Sequence, residues 1–329
     1  MHQPSRIYVP FICALVAACA LEKEEAADEF REAVPTAEAV SVDGPASSGG
    51  SLETAASSRG ALATGAEPAR WYRFTRDLRD GVNGVTAVIL GSVAWVIHTE
   101  PTELAEGKAV WGPYPAEGLD PVSFRLTVTR LEEHHYRYVL DGRPRSSTSD
   151  ADFLTVLDGD GYSKSSERHG DGAFVVNLDN ARLLDRSRHA DDSGTVRIEH
   201  DLPRDISRHL GALPRFITAD ITPAGGHWLS VTSSAFEDGT GAIDLTGIVD
   251  IDDAGTLAED IAIQSRWQRS GAGRSDIGIS GGDVPAAFSP ATAAECWGED
   301  FARVYYESSF EDPASSGDPT ACVYSAPEE

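Results

Sequence analysis

The sequence predicts an α+β fold, mostly β: a large curved antiparallel sheet or half-barrel with one long amphipathic helix packed on it. Three observations lead there. Residues 82–97 carry apolar side chains at three- and four-residue steps, the period of a helix. From residue 121 onward the period falls to two in one segment after another. The connections between those segments are short, polar and often glycine-containing, which suits hairpins and leaves no room for parallel crossovers.

At the N-terminus, Arg6 and the terminal amine precede an apolar run from Ile7 to Ala18 and then small residues. That is the form of an export signal, so residues 1–18 are expected to be removed. The run is shorter than the roughly 20 apolar residues a membrane-spanning helix needs. Ala18-Cys19-Ala20 fits a cleavage site for ordinary secretion, which leaves a secreted soluble protein as one reading. Val16-Ala17-Ala18-Cys19 also resembles the lipobox of bacterial lipoproteins. That resemblance implies acylation of Cys19, which would become the new N-terminus and hold the chain to a membrane of the bacterial envelope, the outer membrane above all.

Residues 19–68 are rich in Ala, Ser, Gly, Glu and Pro, without an apolar stripe long enough to close a core. Such a segment does not offset its ordering entropy by burial, so it is expected to be a disordered tether. Within it "EKEEAADEFREAV" is suited to a transient helix. A flexible chain of about 45 residues reaches roughly 35–40 Å. The remainder, 69–329, is expected to be a single β-rich domain with its core starting near Trp71.

The formal charge of −26 and sequence pI near 4.6 exclude a nucleic-acid surface, which needs clustered Lys and Arg to displace counterions. Solubility through self-repulsion explains the acidity, and a store of divalent cations is the sharper alternative. Four cysteines are present. Cys13 would leave with the signal and Cys19 would be acylated, so Cys296 and Cys322 remain as an even pair in an oxidising compartment. A bridge between them would stabilise the fold by about 3–4 kcal/mol on the chain-entropy model. Two buried free thiols are the other possibility.

In the helix, Val82, Val85, Ile89, Val93 and Val96 form the core stripe, and Gly84, Ala87, Gly91 and Ala94 suggest a second face for close approach. Three glycines cost it about 1 kcal/mol each relative to alanine, so packing must hold it in place. A membrane hairpin is the rival reading, although the uncharged stretch 81–97 is slightly short for one. After the prolines of "WGPYP", the segment "PVSFRLTVTR" alternates Val122, Phe124, Leu126 and Val128 against polar neighbours, and "HHYRYVL" completes a hairpin. Further strands are expected at "DFLTVL", "AFVVNL", "GTVRIEH", "RFITADIT", "HWLSVTSSAF", "AIDLTGIVDI" and "LAEDIAIQSRW". A helical turn at "DNARLLDRS" has Asn177 or Asp179 available as its cap. Trp297, Phe301, Val304 and Tyr305 stand at helical spacing, so a C-terminal element capping the sheet is expected there.

Catalytic motifs are sparse. Gly278-Ile279-Ser280-Gly281-Gly282 matches G-x-S-x-G, but "GDVPAAFSP" follows, where a nucleophile elbow needs a helix. H-E-x-x-H and paired C-x-x-C spacings do not occur, and no cofactor is expected. Two acidic turns invite calcium: "DGDGYS" with Asp158 and Asp160, and "DIDDAG" with Asp250, Asp252 and Asp253. The first departs from a calcium loop where Tyr162 stands in place of a third oxygen ligand. Plain polar hairpin turns explain both segments as well.

"WGPYP", "DPVSFRLTVTR", "YRYVLDGRPRSST" with "DFLTVLDGDGY", and "GGDVP" followed by "ECWGEDFARVYYESS" resemble a group of uncharacterised lipoproteins found mainly in myxobacteria. That resemblance implies export, lipidation and a two-cysteine C-terminal segment, and it brings no activity or site residues. One helix on a curved sheet is also similar in outline to half-barrel carriers of lipoproteins and lipids. The expected function is therefore a lipid-anchored envelope protein with a non-enzymatic binding or scaffold domain. Its partner would be an envelope protein or an apolar ligand held between helix 82–97 and the sheet. A hydrolase with an unrecognised site is the alternative from another class.

Overall fold

The computed structural model describes residues 26–45, 69–115, 121–162, 170–190, 192–202, 215–224, 226–236, 238–250 and 257–327. The signal segment, Cys19, Asp252 and Asp253 lie outside those residues. The α+β, mostly β expectation holds. Among the described residues, three helices, α1 (26–32), α2 (Arg70–Ile97) and α3 (Leu178–Leu184), accompany a fifteen-stranded antiparallel sheet.

Its strands are β1 (Glu103–Ala105), β2 (Lys108–Pro115), β3 (Val122–Glu132), β4 (His135–Pro144), β5 (Leu154–Tyr162), β6 (Gly170–Asn177), β7 (Thr195–Leu202) and β8 (Arg215–Thr222). They continue as β9 (Trp228–Ala235), β10 (Gly241–Val249), β11 (Glu259–Trp267), β12 (Gly273–Gly281), β13 (Ala291–Trp297), β14 (Arg303–Ser308) and β15 (Ser315–Gly317). Each pairs only with its chain neighbours, and β1 and β15 do not meet, so the sheet is an open meander. α2 touches β2 and β3 near one end and β12 and β13 near the other, so the sheet curls around the helix. The end strands β1 and β15 are three residues each, which limits the unpaired edge available to another chain.

The core lies on the concave face. Trp111, Leu126, Tyr138, Leu140, Phe174 and Ile198 are almost completely buried there, and they meet Val82, Ile89, Leu90, Val93 and Val96 of α2. With the buried Thr86 between Val82 and Ile89, the inward positions recur at steps of three and four residues, which is why one face of α2 goes inward. Although α2 is long and apolar enough by composition to cross a membrane, with mean hydropathy 1.5 over its best window, that inward face makes it the domain's central helix. Gly84, Ala87, Gly91 and Ala94 do not form a close-approach face. They sit opposite the buried stripe and are exposed, and a methyl group on Gly84 or Gly91 would meet nothing within 4 Å.

Part of the expected tether is ordered. In residues 26–45, Ala27 is buried, and Phe30, Ala33, Val34, Val40 and Val42 are buried in the same core as α2. This strap runs antiparallel to α2. Arg31 donates to the carbonyls of Ile97 and Thr99 at one end, and Val42 exchanges two hydrogen bonds with the side-chain amide of Asn83 farther back. Glu29 accepts from Arg130 and Tyr136, while Arg215 reaches Asp43 at 3.2 Å. The strap buries its apolar residues only because the concave sheet offers a surface; alone it has no stripe that would hold it.

The C-terminal helical spacing is also corrected. Residues 291–308 form the β13–β14 hairpin. Its turn carries Phe301 at φ 61°, which brings Phe301 to the same side as Trp297. Both rings then meet Tyr72 of α2, with Phe301 stacked at 4.4 Å and Trp297 at 5.7 Å. A tight turn has imitated a helical repeat. Cys296 and Cys322 are joined as a disulfide. For α3, Asn177 is the cap, accepting from the Asn180 N–H at 2.9 Å.

Candidate functional site

The proposed ligand space between α2 and the sheet is largely filled by the chain itself. The side chains of the strap occupy it, and a cavity of about 20 Å³ lined by Ile89, Val122, Phe124 and Val156 is room for one water. Some polar groups inside are matched to one another, while Trp111 Nε1 and the Tyr138 hydroxyl have no partner among the described residues. Thr75 of α2 meets Ser265 at 2.7 Å, and Ser265 meets Ser275 at 2.6 Å. All three are at most 2 % exposed, so these hydroxyls anchor the helix to the sheet and are closed to any substrate.

The acidic segment at Asp158 and Asp160 is not a turn. Both lie within β5, whose glycines point inward: a methyl on Gly159 would come within 2.7 Å of the Tyr138 ring and 2.5 Å of Phe174. The two carboxylates therefore alternate outward, side by side on a flat face, where a calcium loop would wrap its ligands around one ion. Arg137 holds Asp158 at 2.7 Å and His135 holds Asp160 at 2.9 Å. Asp250 follows β10 and is exposed. No group of three or more His, Cys, Asp or Glu placed to hold a metal ion occurs among the described residues. Ser280 stands in β12 just before Gly281 and Gly282, both at positive φ, so a strand leads there into a turn and not into a helix.

A larger feature was missed by sequence reasoning. On the outer face of β5–β8 lies an open trough of about 430 Å³. Asp171 faces Asp201 across β6 and β7, and Asp201 faces Phe216 of β8. One row away, Asp160 faces Ala173, which faces Glu199. Ala173 is short, so it forms a floor between taller neighbours. Tyr162 and Phe216, 41 % and 42 % exposed, stand at the two sides. His135 stacks on Tyr162 at 4.3 Å and fixes its ring.

No protein-family model matches this chain, and no match appears among curated proteins or solved structures.

The trough's electrostatics are one-sided. Among the described residues that line it are the carboxylates of Asp160, Asp171, Glu199 and Asp201 and the guanidinium of Arg197; Arg197 is turned onto Glu199 at 2.9 Å, and His135 holds Asp160. Asp171 and Asp201 stand directly opposite each other across β6 and β7, a placement that like charges disfavour. At the same end, on the inner side, His200 is 8 % exposed and its Nε2 makes no hydrogen bond among the described residues. Burial pushes its pKa below the usual histidine value.

Proposed function

We propose that this chain is an exported envelope protein, anchored through acyl chains on Cys19, whose β domain is a non-enzymatic binding module for a cationic polymer segment such as a lysine-rich peptide. One observation carries the binding reading: a trough in which carboxylates crowd between two exposed aromatic rings. Ammonium groups are attracted by carboxylates through charge and by aromatic faces through the ring quadrupole. The overall charge of −26 adds a long-range pull on a basic partner. Attachment to the membrane is supported by the Val16-Ala17-Ala18-Cys19 segment and the apolar run before it.

The apolar-carrier alternative would require displacement of the strap, whose Phe30, Val34, Val40 and Val42 occupy the position such a ligand would take. For that reason the outer face is favoured over the interior.

Isothermal titration of the full chain with oligolysine tests the reading. Binding that weakens with salt and falls about tenfold in Tyr162→Ala or Phe216→Ala is expected, the loss of one cation–aromatic contact. Equal affinity in both variants, or no binding at low salt, removes it.

A further inference from the structure

The disulfide sits in an unusual electrostatic setting. Cys296 is completely buried, and Nη1 of Arg274 lies 3.9 Å from its Sγ. Arg274 is itself only 6 % exposed. Directly across the β11–β12 pair stands Arg266. These guanidinia share one carboxylate, Asp276, at 2.6 Å from Arg274 and 3.0 Å from Arg266. Among the described residues, one positive charge is therefore in excess beside a buried sulfur. Cys322, by contrast, is only partly buried, on the C-terminal segment that crosses this site. Besides the disulfide, that segment is held by the Arg266 side chain, which donates to the Ser325 carbonyl at 3.1 Å and lies 5.2 Å from the Tyr324 ring.

We propose that Cys296–Cys322 is a thiol–disulfide exchange site for a dithiol reductant, with Cys322 the sulfur attacked and Cys296 the leaving group. A thiolate of the reductant attacks Sγ of Cys322, a new S–S bond forms there, and the bond to Cys296 breaks. The electron pair of that bond leaves on Cys296 as a thiolate, which Arg274 stabilises by charge. The second thiol of the reductant then displaces Cys322, taking the new bond into the reductant's own disulfide. Two electrons pass from the dithiol to the protein. Of the two protons released, one returns to Cys322 and one goes to solvent. A low-pKa thiol leaves faster, so the polarity of the exchange is set by where the positive charge lies. Opening the bond removes the covalent hold on residues 319–327 and uncovers Arg266 and Arg274.

The test uses the full, oxidised chain under native conditions. Dithiothreitol is added, free thiols are counted over time by alkylation and mass spectrometry, and circular dichroism follows the sheet. The expected result is reduction with the sheet intact, new proteolytic cleavage within 319–327, and a rate roughly tenfold lower in Arg274→Gln. Arg274→Lys, which keeps the charge, should stay close to the native rate. Equal rates for the native protein and Arg274→Gln, or reduction only as the sheet unfolds, overturn the proposal. Should Arg274→Gln fail to fold, the alkylation pH profile of Cys296 in the reduced native chain decides: a midpoint below about 8.5, the ordinary cysteine value, supports the proposal and one at or above it overturns it.

Discussion

Glu295 closes the N-terminus of the helix that begins at Arg70: its carboxylate lies 2.6 Å from the backbone nitrogen of Trp71 and 3.0 Å from that of Arg70. α2 has no side-chain cap of its own, because Ala69 stands at the N-cap position. A carboxylate from β13 takes that role, and the partial positive charge of the helix end reinforces it. Arg303 completes the arrangement at 2.7 Å. Glu295→Ala removes a carboxylate that is itself 0 % exposed and that serves two amide donors and Arg303. A loss of about 3–5 kcal/mol is expected in urea unfolding. A loss below about 1 kcal/mol would mean that the helix end is held by other contacts.

The exposed face of α2 offers the opposite kind of change. Gly84 and Gly91 have open space where a side chain would stand. Alanine at either position should stabilise the domain by up to about 1 kcal/mol, through the entropy of the unfolded chain. Destabilisation on thermal melting would show that this face meets something in the folded protein.

Phe30 separates a packed strap from a free tether. Its ring is 3 % exposed and meets Tyr136 edge-on at 6.0 Å. Phe30→Ala is expected to cost about 3 kcal/mol, the usual loss for emptying an aromatic core position. No shift in the urea midpoint would return residues 26–45 to the tether.

His200 gives the domain a pH dependence. Its pKa is lowered by burial from 6.5, so the unfolded chain binds this proton more readily than the folded one. Stability from this group is complete above about 6.5 and is lost as pH falls below it. Urea midpoints measured between pH 7 and 5 should therefore drop more steeply for the native chain than for His200→Gln. Parallel curves would mean that the imidazole titrates alike in both states.

If Cys19 is the anchor, the native chain expressed with its export signal should fractionate with membranes and incorporate labelled fatty acid. Cys19→Ser should do neither. A serine variant that still partitions with membranes contradicts the lipid reading.

Much of the fold is legible because its period is local. "RFITADIT" coincides with β8, and the valine stripe of α2 points into the core at Val82, Val93 and Val96. The strap is not legible, since Phe30 and Val34 are helically spaced while Val40 and Val42 alternate, and neither run is long enough to declare a buried face. The trough is hidden for a different reason. Asp171, Asp201 and Phe216 are neighbours only through the register of β6, β7 and β8, and register is a property of pairing that no single segment carries. The cap at Glu295 is likewise non-local, standing 224 positions from its partner Trp71.

Amide NMR of the labelled full chain, titrated separately with oligolysine and with dodecanoate, asks where this domain binds. Oligolysine should shift resonances of Tyr162, Asp171, Asp201 and Phe216, while dodecanoate leaves Phe30, Val82, Ile89 and Val93 unmoved. Shifts of those four core residues on adding dodecanoate, with none in the trough on adding oligolysine, would contradict an outer-face binding module and place the ligand inside the sheet.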